Sequence, residues 1–194
     1  MRTNDDTVKK DIALLYFVHF VSILLGALTL KVILLNTTQS DFSDFLIIKR
    51  FSVLFAPIIT LNLGVALAYF ISEKKNQALS YFFQSIYVFI LIILIVFVVF
   101  ILNKSKISDL LFADIQLRYY IFPCLLFTLA YCAHLLFSGY YRGLQNFYYL
   151  NFLQLIYWLT SFLTCLLLYL FYDGEMYILN FLYYFSASYL LICL

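Results

Sequence analysis

The sequence predicts an all-α integral membrane protein, a bundle of about six transmembrane helices. Three observations predict it. Hydrophobic residues make up 65% of the chain and charged residues 11%, against about 25% charged in a soluble domain. The apolar residues gather into runs long enough to cross a bilayer, which takes roughly 20 residues. Strict polar–apolar alternation, the barrel signature, is absent. In hydrocarbon every backbone group must pair within its own segment, so the runs are helices.

The crossings follow from the breaks between the runs. A polar head spans 1–11 and is read as a disordered or interfacial lead-in. The crossings are placed at about 12–35, 42–71, 79–102, 115–138, 147–172 and 176–194. The first run is too long for a cleavable signal peptide, and no clear small-residue cleavage site follows it. The second carries Lys49 and Arg50 inside it and Pro57 near its middle, where a missing backbone donor bends a helix. The third is the purest lipid-facing candidate, with no polar side chain from Val88 to Leu102. Residues 103–114 form a longer loop whose apolar patch (Ile107, Leu110 to Phe112) suits the interface. Tight turns are expected at Tyr140 to Gln145 and at Asp173-Gly174-Glu175.

Charge sets the orientation. Arg2, Lys9, Lys10, Lys74, Lys75 and Arg142 fall in the head and the even-numbered connectors; only Lys104 and Lys106 fall in the others. The positive-inside rule places the N-terminus in the cytoplasm. Lys31, Lys49, Arg50 and Arg118 lie within or beside crossings. Lys31 and Arg118 are near helix ends, where snorkelling accounts for them.

Lys49 and Arg50 are harder to place. A cation at the bilayer centre costs about 2.5–3.5 kcal/mol on insertion scales, and adjacent helical residues point about 100° apart. Either one of them faces a water-filled cavity and attracts an anion, or they snorkel outward or pair with Asp41 or Asp44. Polar stripes mark three helices: His19, Ser22, Gly26 and Thr29; Thr128, Tyr131, His134 and Ser138; Asn151, Gln154, Tyr157, Ser161 and Thr164. Small and hydroxyl residues there suit helix packing. Asn151 and Gln154 are costlier to bury and are candidates to line a cavity. Each histidine is either a packed core residue or a proton relay. Tyrosine pairs near helix ends (Tyr119-Tyr120, Tyr140-Tyr141, Tyr148-Tyr149) fit an interfacial belt, with sugar stacking as the alternative.

Cys124, Cys132, Cys165 and Cys193 all lie in apolar runs with no metal-ligand spacing, and read as small buried hydrophobes. No phosphate-cradling loop, paired carboxylate or nucleophile–base spacing appears, so neither an enzyme nor a cofactor is expected. Carboxylates are scarce in the crossings, unlike in pumps that relay protons through them.

Two stretches resemble a known family. Ser43 to Ser72, with Leu63-Gly64 and an aromatic before a charged turn, is similar to the second helix of bacterial polysaccharide flippases. Tyr140-Tyr141-Arg142-Gly143-Leu144-Gln145, then Asn151 and Gln154, resembles their fourth-to-fifth turn. The family is the O-antigen and capsule oligosaccharide flippases of the multidrug/oligosaccharidyl-lipid/polysaccharide exporter superfamily. The resemblance implies one N-terminal lobe of a two-lobe transporter in the bacterial inner membrane, moving a polyprenyl-diphosphate-linked oligosaccharide for O-antigen, lipopolysaccharide or capsule synthesis. It implies a C-terminal lobe as partner, with bilayer lipid, polysaccharide polymerase and chain-length machinery around it, and no nucleic acid. The last run stops at Leu194 without a cytoplasmic flank, so a fragment of a longer transporter is expected. The substrate-site candidates are Lys49, Arg50, Arg118, Arg142, Asn151, Gln154 and His19; the assignment of Lys49 and Arg50 rests on chemistry and not on the motif. The alternatives are a multidrug or small-cation exporter of the same superfamily, an integral-membrane enzyme of surface-polysaccharide synthesis, and a non-catalytic assembly subunit.

Overall fold

A computed structural model describes residues 5–172 and 177–193; Arg2 and the turn expected at 173–175 lie outside them. The described residues form eight α-helices and two 3-10 turns, with no strand among them. The helices are α1 (Asp5–Asn36), α2 (Gln39–Ile59), α3 (Leu63–Glu73), α4 (Ala78–Leu102), α5 (Lys104–Phe112), α6 (Ile121–Gly143), α7 (Phe147–Phe171) and α8 (Tyr177–Cys193). Helix therefore takes in most of the polar head, and the 103–114 loop is largely the short helix α5. The fourth apolar run enters through a 3-10 turn at Ile115–Tyr120 and stays helical to Gly143.

Four helices are long and apolar enough to cross a bilayer, and a fifth crossing results if α2 and α3 act as one. The apolar α8 has 17 residues, below the usual span of about 20. The chain is an all-α membrane-type bundle with four or five candidate crossings among the described residues.

The expected second crossing is two helices set at 48°. Pro57 does not itself end α2, which continues to Ile59. The chain leaves the helix through a Schellman turn: Asn62 N–H donates to Pro57 O at 2.9 Å and Leu61 N–H to Ile58 O at 3.0 Å. Leu61 (φ 47°) and Asn62 (φ 53°) are both left-handed. Thr60 Oγ1 adds bonds to Ala56 O (2.8 Å) and Pro57 O (3.3 Å). The break thus satisfies its own carbonyls where water is scarce.

The connectors sort into two ends. Lys75 Nζ donates to Gln145 Oε1 at 2.9 Å, joining the α3–α4 and α6–α7 connectors at one end. Asn36, Thr37, Thr38 and Asp41 line a common cavity with Tyr120 and Tyr177, joining the α1–α2 connector and the starts of α6 and α8 at the other.

Two helix pairs run parallel. Along α1 and α7, His19 meets Gln154, Gly26 meets Trp158 and the Thr29 carbonyl meets Cys165, in ascending order. Along α3 and α6, Gly64 lies on Leu135 and Gly139, and Ala68 and Ile71 lie on Gly143. A Cβ on Gly64 would stand 2.6 Å from Leu135 O, so the two backbones touch. α6 is the central helix, with 61% of its most apolar stretch buried, whereas α4 has 6%. One apolar core joins α1, α2, α6, α7 and α8 around Phe181, Phe185 and Tyr189; a second joins α2, α3, α4 and α6 around Leu67 and Ile71.

Candidate functional site

The site is built outward from Gly26. A Cβ there would stand 2.9 Å from the Trp158 ring, so glycine lets that ring press close against α1. The seated ring meets Lys49, whose Nζ lies 5.8 Å from its centroid, within cation–π range. Lys49 stands ten residues into α2, about 15 Å along the helix at 1.5 Å per residue. Its side chain is half-buried, and among the described residues no carboxylate pairs with it. Gly26, Thr29, Phe45, Trp158 and Ser161 join Lys49 around a pocket of about 30 Å³, the volume share of one water.

Arg50 is exposed. The two neighbours face different ways, as their helical offset requires. Neither pairs with Asp41 or Asp44 among the described residues. Asp41 instead accepts from the Thr38 hydroxyl at 2.7 Å, beside the α2 N-cap.

The stripe on α1 and the one on α7 face each other. His19 Nδ1 and Gln154 Nε2 lie 3.1 Å apart at an exposed position. Ser22, Gly26 and Thr29 are buried in the seam below them. Asn151 is 2% exposed, and its Nδ2 has no hydrogen-bond partner. Asn151 is thus sealed inside the bundle, and it lines none of the cavities described here.

The stripe on α6 is consumed by packing. Thr128 Oγ1 lies 2.8 Å from Ser52 Oγ and donates to Cys124 O. His134 Nδ1 lies 2.7 Å from Tyr189 Oη, and its ring centroid is 4.8 Å from that of Tyr157. Tyr131 stacks on the His134 ring, and neither it nor Ser138 makes a hydrogen bond among the described residues.

Arg118 is exposed in the 3-10 turn at one end of the bundle, and Arg142 is exposed in the last turn of α6 at the other. Neither lines the Lys49 pocket. Of the seven candidates, the structure brings together His19 and Gln154, seats Lys49 in a pocket, and leaves Arg50, Arg118 and Arg142 dispersed. Four cysteines are free, three of them buried. No cluster of three metal-ligating side chains occurs among the described residues.

Sequence reasoning missed Trp158 as the partner of Lys49, because 109 positions separate them and only the fold joins their helices. It also missed the Ser52–Thr128 and Tyr177–Cys165 pairs, the latter closed by Tyr177 Oη donating to Cys165 O at 2.6 Å. The Gly139-x-x-x-Gly143 spacing was a readable signal for a close helix contact. No family model, curated protein or solved structure matches the chain.

Proposed function

We propose that this chain is the N-terminal lobe of a flippase for polyprenyl-diphosphate-linked oligosaccharides, acting in O-antigen or capsule synthesis at the bacterial inner membrane with its N-terminus in the cytoplasm. The six-crossing lobe, the second lobe and the surrounding polysaccharide machinery are parts of this reading. The observation that carries it is Lys49: an ammonium about 15 Å into a membrane helix, half-buried, aromatic-capped and without a carboxylate. Such a group is costly in hydrocarbon and marks a place where charge is handled. A diphosphate supplies the missing counter-charge. The Lys75–Gln145 bond supports the topology, since it gathers two of the cationic connectors at one end.

On this reading the pocket beside Lys49 is closed when empty, because it holds about one water. Phosphate binding requires the Trp158 ring to swing away, exchanging a cation–π contact for an ion pair. Trp158 then competes with the substrate and keeps the ammonium from trapping it. Arg50, facing outward, would meet the phosphate only where a second lobe turns that face into a cavity wall.

The test is surface glycan in cells carrying the full-length transporter. Lys49→Ala should abolish it while leaving the protein in the membrane, Lys49→Arg should restore part of it, and Arg50→Ala should have the smaller effect. Normal glycan in Lys49→Ala removes Lys49 from the site and the reading with it.

A further inference from the structure

A second cavity lies at the α2–α3 break, remote from Lys49. It encloses about 110 Å³ and is lined by Pro57, Thr60, Asn62, Gly64, Ser138 and Arg142, with neighbouring apolar residues. At about 30 Å³ per water, it holds roughly three or four waters. That suits one tetrahedral oxyanion.

Thr60 spends its hydroxyl on Ala56 O and Pro57 O, but other polar groups here are donors without an acceptor. Ser138 is 9% exposed, and its hydroxyl has no partner among the described residues. Gly64 stands in the first turn of α3, and its N–H finds no backbone acceptor among the described residues. Asn62, the N-cap of α3, makes no side-chain cap bond. Leu63 N–H bonds to Thr60 O, and Val65 and Ala66 N–H bond to Asn62 O, so the Gly64 N–H is the free amide at the positive end of this 11-residue helix. The Arg142 guanidinium has no carboxylate partner among the described residues, and no acidic side chain lines the cavity. The glycine contact between Gly64 and Gly139 holds α3 and α6 close enough for all three donors to share one space.

We propose that this cavity binds a phosphoryl oxyanion, held by the Arg142 guanidinium, the Ser138 hydroxyl and the N-terminus of α3. Arg142 lies at the end of the bundle marked by Lys75 and Gln145, so the anion arrives from that face. Its source is either the phosphate of a lipid headgroup or phosphate free in solution. The inference rests on the bundle and its break and stands without the transport reading, because Lys49 takes no part in it.

The full chain in phosphatidylcholine nanodiscs tests it with two probes. Radiolabelled inorganic phosphate is followed by equilibrium dialysis, and phosphatidic acid doped into the disc by adducts retained in native mass spectrometry. Saturable binding of either probe is expected. Arg142→Gln should weaken it about tenfold, the loss of one charge-assisted contact, and Arg142→Lys should recover part. Ser138→Ala, nearly isosteric and safe for folding, should weaken it about threefold. Lys74→Gln should leave it unchanged. Phosphatidic acid alone being retained identifies a headgroup site, phosphate alone a soluble ligand, and both the shared chemistry. Absence of binding by both probes, equal binding by wild type and Arg142→Gln, or an equal loss with Lys74→Gln overturns the proposal. Loss of surface glycan in Lys49→Ala with the Arg142-dependent share of binding retained separates this site from the transport reading.

Discussion

The chain leaves a helix by the same turn twice, once inside the bundle and once at its end. At the α2–α3 break, Asn62 N–H bonds to Pro57 O and Leu61 N–H to Ile58 O; at the α6–α7 turn, Asn146 N–H bonds to Tyr141 O and Gln145 N–H to Arg142 O. Both are Schellman turns with a non-glycine residue in the left-handed position, Leu61 (φ 47°) and Gln145 (φ 57°). Both place asparagine next. Yet the first bends the path by 48° and the second turns the chain back along the bundle. The difference lies in that asparagine. Asn62 stays left-handed (φ 53°, ψ 29°), whereas Asn146 opens to φ −95°, ψ 80° and caps α7 through its side chain. One residue's dihedrals decide between a kink and a reversal. The partners differ too: the first turn recruits the Thr60 hydroxyl to its carbonyls, while in the second the Gln145 side chain accepts from Lys75.

The first turn is most sensitive at Gly139. A Cβ there would fall on the Gly64 backbone that seats the inner turn, so Gly139→Ala should cost about 3 kcal/mol or more. Unfolding of the purified protein in detergent would register it. Asn62→Val forces a β-branched residue into the left-handed region and should cost about 2 kcal/mol. Asn146→Val should cost less, since its φ is ordinary and only a 3.4 Å cap is lost. Thr60→Val removes the doubled carbonyl bonds and should cost about 1 kcal/mol; Leu144→Ala, at the matching position of the outer turn, should cost less. The smallest effects should be gains. Leu61→Gly relieves a left-handed leucine and should stabilise by about 0.5 kcal/mol. Gln145→Gly should gain less, because it also gives up the bond from Lys75.

Fold class was legible because hydropathy is a property of composition and run length. Break positions were legible to within a few residues, and for a physical reason. Pro57 announces a disturbed helix, but its ring sits within α2, and the actual exit is set by which residues accept positive φ. Leu61 carries no such signal, and Asn62 carries a weak one. The helical face of each polar stripe was legible, but its purpose was not. Thr128 and His134 resemble cavity residues in sequence, and only the placement of Ser52 on α2 and Tyr189 on α8 shows them paired. The divergent orientations of Lys49 and Arg50 followed from helical geometry alone. Trp158 as a lid on Lys49 did not, since it depends on the α1–α7 seam and on the missing side chain of Gly26.

The parallel pairing of α1 with α7 has a consequence for biogenesis. Parallel neighbours cannot come from a hairpin, and over a hundred residues separate the end of α1 from the start of α7. At roughly 5–20 residues per second of synthesis, the first helix spends on the order of ten seconds in the membrane before its main mate emerges. Throughout that interval Ser22, Gly26 and Thr29 lack the helix that covers them. Insertion therefore delivers a segment whose small-residue seam awaits cover until α7 arrives.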